Sequence, residues 1–159
     1  MTAETVAIRV ERPDQADVLA LLDEHLTDMF ATSPAESVHA LDHTALGGPA
    51  VTFITARDAH DRLLGCGALS MIGTGDAEIK SMRTTPTARG RGVAAAVLEA
   101  LVAEARARGV ERLWLETGSQ DFFAPARRLY ARHGFAECGP FASYVEDPNS
   151  VFMTRSLTS

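Results

Sequence analysis

Residues 78–98 have the sequence EIKSMRTTPTARGRGVAAAVL, which predicts a strand, a polar turn and a glycine–arginine loop leading directly into a helix. Gly90 and Gly92 carry no side chain, so the backbone there can approach a ligand closely. The helix that follows begins with unpaired N–H groups and the positive end of its dipole. Arg89 and Arg91 add positive charge beside them. This combination predicts a binding site for the phosphates of a pyrophosphate-bearing cofactor.

Three kinds of phosphate-binding loop share this design. A nucleoside-triphosphate P-loop is excluded because no Lys follows Gly92. The dinucleotide fingerprint fits the glycine spacing of residues 90–95, and Glu111 and Glu116 lie near the place of its acidic ribose ligand. That fold, however, puts its first glycine directly after a buried apolar strand, whereas the polar residues 84–87 intervene here. Too little chain follows to complete its alternating sheet, so we rank this interpretation below the third kind, an acyl-coenzyme A loop.

Two segments resemble the GNAT acetyltransferase superfamily. Arg89–Ala94 resembles its Gln/Arg-x-x-Gly-x-Gly/Ala signature, and Leu129–Phe135, which carries Tyr130 and ends in Gly-Phe, is similar to a later helix of that family. Three further phrases, EIKSM at 78–82, LETG at 115–118 and YVEDPNSV at 144–151, resemble a bacterial subgroup of GNAT proteins similar to YsnE. The resemblance covers most of the chain from Val51 onward.

The resemblance implies an α/β (α+β) domain with the GNAT fold, in which helices flank a mixed, mostly antiparallel sheet whose central strands splay apart. We expect residues 1–159 to form one such domain. The family relation further implies an enzyme that transfers an acetyl group from acetyl-CoA to the primary amine of a small molecule, by direct attack in a ternary complex and without a metal. Two alternatives stay open: a non-catalytic acyl-CoA-binding or regulatory domain, and an acetyltransferase of protein lysines or N-termini.

The resemblance also assigns residues to the cofactor. Tyr130 matches the tyrosine of the family's later helix, which makes it our candidate for the acid that protonates the departing thiolate and for a cofactor contact. The backbone of Met82, Arg83 and Thr84 matches strand positions that pair with the pantetheine arm. Ser119, Gln120 or Asp121 stands where many members carry an Asn that contacts the cofactor. The residues expected to hold the pyrophosphate are Arg89, Gly90, Arg91, Gly92, Val93 and Ala94.

Two carboxylates compete for the role of base. Glu78 begins the strand that leads to the loop, and it could take the proton of the amine directly or through a water. Glu116 lies on the neighbouring predicted strand and is the alternative. A solvated carboxylate is the ordinary interpretation for either residue, because charged side chains are mostly exposed.

Composition sets limits on the function. The 159 residues can bury a core without disulfides or metal, and no apolar run is long enough to span a bilayer, so no membrane partner is expected. The start lacks the features of a signal peptide, and Cys66 and Cys138 form no CxxC pair, which together predict a cytoplasmic protein with free thiols. A net charge of −6 argues against nucleic-acid binding. The formation of a homodimer is left open.

The hydrophobic pattern predicts alternating strands and helices without a linker or repeat. We predict helices from Asp14 to Phe30 and from Glu36 to Thr44, the first broken at Ser33-Pro34, and a turn at Gly47-Gly48-Pro49. A stripe from Val93 to Ala105 predicts a third helix that ends at Gly109, and a fourth runs from Pro125 to His133. The predicted strands are Val6–Val10, Val51–Ala56, Leu63–Ile72, Ala77–Thr84, Leu113–Thr117, Phe135–Cys138 and Val151–Leu157.

The segments Phe141–Ser150 and Ser33–Asp42 are our candidates for the acceptor pocket, because loops carry specificity. Glu146 and Asp147 would favour a cationic acceptor such as an amine, and a solvated loop is the alternative interpretation of this segment. Phe122 and Phe123 could wall the cofactor arm, although core packing is the usual role of such residues. His39 and His43 are four residues apart, but no further ligand completes a metal site, so surface histidines are the better interpretation.

Overall fold

The computed structural model describes residues 6–32 and 48–158. Within these ranges seven strands form one sheet, and three α-helices pack against it. Short 3₁₀ turns at Pro86–Ala88 and Asp121–Phe123 precede the second and third helices. The helices are α1 (Ala16–Thr32), α2 (Val93–Ala107) and α3 (Ala124–Arg132). The strands are β1 (Ala7–Val10), β2 (Val51–Arg57), β3 (Leu63–Gly73), β4 (Asp76–Thr84), β5 (Arg112–Gly118), β6 (Ala136–Cys138) and β7 (Ser150–Ser156).

The strand order is β1-β2-β3-β4-β5-β7-β6, and every neighbouring pair is antiparallel except β4 and β5. The prediction of a mixed, mostly antiparallel sheet flanked by helices is therefore confirmed. The parallel pair is short: residues 76–79 of β4 pair with residues 112–115 of β5. Beyond Ile79 and Leu115 both strands continue without pairing to each other, so the sheet opens in its middle.

A bulge in β4 accompanies this opening. Between the pairs Cys66↔Arg83 and Ala68↔Lys80, β4 advances by one residue more than β3. Ser81 in this stretch has φ 56°, a value that L-residues rarely adopt. A bulge bends its strand and increases the local twist, which turns the last residues of β4 away from β5.

The helices divide the core between the two faces of the sheet. The larger cluster packs α2 and α3 on one face; there the predicted stripe of α2 is buried, and Gly67 of β3 allows Val97 and Leu101 to approach closely. The smaller cluster, Val18, Leu21, Leu22, Phe53, Cys66 and Ala68, holds α1 against the opposite face. A ligand that contacts both α1 and α3 must therefore pass through the sheet.

The predicted boundaries agree with the observed ones to within two residues in most elements, and α1 exceeds its predicted end at Phe30 by two residues. The predicted helix from Glu36 to Thr44 and its break at Ser33-Pro34 lie outside the described residues, as do His39, His43 and the acceptor segment Ser33–Asp42. Within the described ranges, no helix is long and apolar enough to cross a membrane. In the same ranges, no three His, Cys, Asp or Glu side chains cluster as metal ligands would.

A buried arginine ties the connection between β1 and α1 to β2. Arg57 is 2% exposed; its Nε donates to Glu11 Oε2 at 2.8 Å and its Nη1 to Asp17 Oδ2 at 2.7 Å. Thr55 also donates to the Glu11 carboxylate. The hydrogen bond from Arg57 lowers the pKa of Glu11 from 4.5 to about 2, because it stabilises the ionised form.

We expect Glu11→Gln to be less stable than the wild type at about pH 6 and equally stable at about pH 2. A lowered carboxyl pKa stabilises the fold above the unfolded-state value, and this stabilisation is lost as pH falls from 4.5 towards 2. Urea unfolding, followed by Trp114 fluorescence at several pH values, measures the difference. Asp14→Asn is the matched control, since the Arg12–Asp14 pair is exposed. A difference for Glu11→Gln that does not change with pH would contradict this account of Arg57.

Candidate active site

One cavity of about 590 Å³ lies where β4 and β5 part. It is lined by residues 78–84 of β4, by Glu116 and Thr117 of β5, and by the loop and first turn of α2. Residues of α1 on one face of the sheet and of α3 on the other complete the wall. The cavity therefore runs through the opening between the two strands and connects both faces.

The glycine–arginine loop forms one end of this cavity. Gly90 and Gly92 both have φ 78°, and a Cβ at either position would meet nothing within 4 Å, so the need for glycine comes from the backbone conformation and the surface is open. Gly92 is the N-cap of α2, and no side chain caps the helix. The N–H groups of the first turn, from Val93 to Ala95, thus border the cavity and can bind an anion.

The arginines near the loop differ in their placement. Arg89 lines the cavity, is half exposed and has Nη2 4.0 Å from Glu24 Oε1. Arg91 is outside the cavity lining, and its Nη1 donates to the carbonyl of Thr87 at 3.2 Å. The side chain of Arg83 turns to α1, where Nη2 lies 2.5 Å from both Glu24 and Asp28. Only the backbone of Arg83, with that of Met82 and Thr84, is thus available to the opening between the strands.

A hydrogen-bonded cluster of three side chains lies on the α1 face of the opening. Lys80 Nζ donates to Glu78 Oε2 at 3.1 Å and to the Tyr144 hydroxyl at 2.8 Å. The Tyr144 hydroxyl donates in turn to Glu78 Oε2 at 2.5 Å. The side chains of Glu78 and Lys80 are only 8% and 10% exposed. Glu78, one of the two predicted bases, is therefore already engaged on one oxygen by two donors.

Glu116, the other predicted base, lines the same cavity. Burial raises its pKa from 4.5 to about 7, because the charged form loses hydration. This value includes smaller opposing effects: the Ser150 side chain and the ammonium of Lys80 lower the pKa, whereas the negative charges of Glu78 and Asp147 raise it. A carboxyl group whose pKa lies near neutrality can both accept and release a proton under ordinary conditions.

Tyr130 lies on α3 and lines the cavity from the opposite face. Its ring is 6% exposed and packs edge-to-face on Phe135 with centroids 5.8 Å apart. Burial raises the pKa of its phenol, so the group stays protonated at neutral pH. Among the described residues, no hydrogen bond of the Tyr130 hydroxyl is found.

Of the residues that follow β5, some line the cavity and others do not. Ser119 does not line the cavity; its hydroxyl donates to the carbonyl of Pro148 at 2.6 Å, and Gln120 Nε2 donates to Asn149 Oδ1 at 3.0 Å. These bonds fasten the end of β5 to the β6–β7 connection. Phe122 and Phe123 do line the cavity, and Phe123 packs so closely on Gly118 that a Cβ there would lie 2.1 Å from its ring.

Lys80 and the hydroxyl of Tyr144 are site groups that the sequence pattern did not predict. One signal was present in the sequence: Lys80 is the only lysine among 159 residues, and every other cationic side chain of the Lys/Arg class is an arginine. Alternation along β4 also places Lys80 on the same face as Glu78. His25 and Asp28 of α1 are further lining residues that the sequence pattern did not reveal.

Comparison with known proteins gives the family. The model of the acetyltransferase (GNAT) family matches residues 18–135. The N-acetyltransferase YsnE of Bacillus subtilis is 50% identical over 150 residues, which cover 94% of this chain and 99% of YsnE. An IAA acetyltransferase of Azospirillum brasilense is 41% identical over 96% of this chain and 98% of its own. The structure of PaiA N-acetyltransferase from Thermoplasma acidophilum in complex with coenzyme A superposes with a TM-score of 0.71, at 14% identity, over 96% of this chain and 99% of that chain.

We expect Glu116→Gln to be more stable than the wild type at about pH 8 and equally stable at about pH 4. A raised carboxyl pKa stabilises the fold below the unfolded-state value of 4.5, and this stabilisation is lost as pH rises through about 7, whereas glutamine stays neutral. Urea unfolding at both pH values measures the difference. Glu137→Gln on the exposed face of β6 is the control and should show none. Equal stability of Glu116→Gln and wild type at both pH values would argue that Glu116 is hydrated.

Proposed function

The chain belongs to the GNAT family of acetyltransferases, and from this premise we propose that it transfers the acetyl group of acetyl-CoA to the primary amine of a small molecule. The observation that carries this proposal is the single cavity that joins the open end of α2 to two carboxylates and a protonated tyrosine. One end of the cavity suits an anionic cofactor, and the other holds the groups that proton transfer requires.

The cofactor end is formed by the backbone. The loop at Gly90 and Gly92 and the first turn of α2 would hold the pyrophosphate, with Arg89 adding positive charge. The unpaired edge of β4 from Met82 to Thr84 would bind the pantetheine amides, because its polar groups lack a neighbouring strand there. Acetyl-CoA supplies an activated acetyl group as a thioester. The coenzyme A bound to PaiA supports this choice of donor, as does the family.

Proton transfer would use residues from both faces of the sheet. Glu116 would take one proton from the acceptor ammonium, and the neutral nitrogen would then bond to the acetyl carbon. As the C–S bond breaks, its electron pair goes to sulfur, which takes a proton from Tyr130. The nitrogen gives up its second proton through solvent, which restores Tyr130, and Glu116 releases the first. Holding amine and thioester together in one cavity would supply much of the acceleration.

The charges at the acceptor end support a cationic substrate. Lys80 is paired with Glu78, and Arg83 contacts both Glu24 and Asp28, so neither cation would repel an incoming ammonium, which could approach the Glu116 carboxyl. Asp147 adds negative charge near Glu116. A small acceptor is supported by one relative, the IAA acetyltransferase, which is named after a small molecule. Tyr144 and α1 also narrow the cavity on this side.

The test is release of coenzyme A over a panel of small primary amines, with a lysine peptide and an N-terminal peptide included. We expect turnover with at least one small amine. Turnover with the peptides alone would make the protein a protein acetyltransferase. If acetyl-CoA binds and no acceptor is acetylated, the chain is an acyl-CoA-binding domain instead.

Gly92→Asp should abolish cofactor binding, since it places negative charge where the pyrophosphate is expected. At a hundred times the dissociation constant, acetyl-CoA should stabilise the wild type by about 2.7 kcal/mol, and the variant should lose most of this gain. Gly109→Asp is the matched control: Gly109 has φ 77° and open surroundings at the other end of α2, so the backbone strain is the same. Thermal unfolding with and without acetyl-CoA measures both. Equal gains in the two variants would show that the loop does not bind the cofactor.

Tyr130→Phe should reduce kcat by at least about tenfold while the acetyl-CoA dissociation constant changes by less than about threefold. The variant keeps the ring and its packing on Phe135 and removes only the hydroxyl. An acid that acts late in the reaction contributes to the transition state and little to ground-state binding. Steady-state kinetics and calorimetric titration provide the two numbers. Unchanged turnover would mean that the Tyr130 hydroxyl is not the acid and that the residue only packs in the core.

A further inference from the structure

The cluster of Glu78, Lys80 and Tyr144 forms a closed set of hydrogen bonds. Lys80 donates twice, Tyr144 accepts once and donates once, and Glu78 Oε2 accepts twice. Each of the three hydrogen bonds therefore has one donor and one acceptor. Lys80 Nζ also lies 5.5 Å from the centroid of the Tyr144 ring, within the range of a cation–π contact. Tyr144 comes from the β6–β7 connection and the other two from β4, so the cluster joins segments more than 60 residues apart.

The register of the parallel strands puts Lys80 beside Glu116. Glu78 pairs with Trp114 and Ile79 with Leu115, and the strands part after this step. One residue further along each strand are Lys80 and Glu116, on the same face of the sheet. The other charged groups that act on Glu116 are Glu78 on β4 and Asp147 on the β6–β7 connection, both negative. Lys80 is thus the positive charge that offsets them.

The choice of residue at position 80 fits this role. In a chain whose other Lys/Arg positions are all arginine, the one lysine is 10% exposed and lies at the centre of the cluster. An ammonium is a compact point charge that can donate to two partners, whereas a guanidinium is planar and wider. A buried ion pair is costly unless further hydrogen bonds support it, and here the Tyr144 hydroxyl adds one to each partner.

On the basis of the acetyl-transfer function above, we propose that Lys80 and Tyr144 are positioning residues. They hold Glu78 in a closed cluster and keep one positive charge beside Glu116, so that Glu116 is the carboxylate that takes the proton from the acceptor amine. Glu78 then acts through Lys80 and does not exchange a proton with the substrate.

The first test is the dependence of kcat/KM on pH. In the wild type we expect activity to rise with pH as Glu116 ionises. Glu116→Gln should lose this rise and at least about a hundredfold in kcat, whereas Glu78→Gln should keep it. Lys80→Met should move the rise to higher pH by about one unit, since a lost neighbouring cation disfavours the carboxylate. Lys80→Arg keeps the charge and should leave the rise in place, even where kcat falls.

A second measurement does not depend on turnover. In protein labelled with ¹³C at the glutamate carboxyls, the Glu116 signal is assigned by its absence in Glu116→Gln. Its titration should move upwards by about one pH unit in Lys80→Met and by less in Tyr144→Phe, where the ammonium loses one of its two acceptors. Lys80→Gln serves as a second neutral variant if Lys80→Met unfolds.

The chain's single lysine gives a third measurement. In the wild type, an amine-reactive reagent should label the N-terminus alone, because Lys80 is buried and bonded. Tyr144→Phe should take up a second label, which intact-protein mass spectrometry counts.

These results separate the two proposals. Failure to acetylate any amine, together with the expected Glu116 titration, would overturn the function and keep the positioning role. The positioning role would be overturned if the Glu116 titration did not move in folded Lys80→Met and Lys80→Gln. It would also be overturned if the rise of kcat/KM with pH were lost in Glu78→Gln and persisted in Glu116→Gln. Equal labelling of wild type and Tyr144→Phe would overturn the closed cluster.

Discussion

The early end of the β4–β5 pairing is the constraint on which the other features depend. In two parallel strands that stay paired, the backbone N–H and C=O groups of the facing edges hydrogen-bond to each other. These groups are then not available to a ligand. Here the pairing stops after four residues of each strand, and a bulge that contains Ser81 follows in β4. The backbone edges released in this way form the walls of a cavity that crosses the sheet. α2 follows β4 after the turn at Pro86–Ala88 and the glycine–arginine loop, and its uncapped N-terminus lies at one end of the cavity.

The two sides of the opening differ in chemistry because they belong to different faces of the sheet. The side of α2 and α3 is mostly apolar, and burial there keeps the phenol of Tyr130 protonated. The side of α1 collects charges, and its buried cations are bound to carboxylates. Arg83 binds Glu24 and Asp28, and Lys80 binds Glu78. Glu116 lies on the same side, and burial raises its pKa to about 7.

Local patterns predicted a large part of this arrangement. The loop, the apolar stripe of α2 and the alternation of the strands depend on neighbours within about one turn or one strand, so they can be read from consecutive residues. The placements of Arg83 and Ser119 could not be read in this way, because they depend on α1 and on the β6–β7 connection, which are distant in sequence. Tyr144 is the clearest case. It lies 66 residues from Glu78, and only the register of β7 on β5 brings it to β4.

The unequal cores imply that the two halves of the protein differ in how easily they open. Among the described residues, α1 is held by a small apolar cluster and by the ionic contacts of Arg57 and Arg83, whereas α2 is packed over most of its length. Segments with few buried apolar contacts undergo local unfolding at a lower free energy than the whole domain. The α1 side can therefore exchange its amide hydrogens by local opening, while the half that carries the glycine loop stays folded. Substitutions in α1 would then change the stability of its own side more than that of the glycine loop.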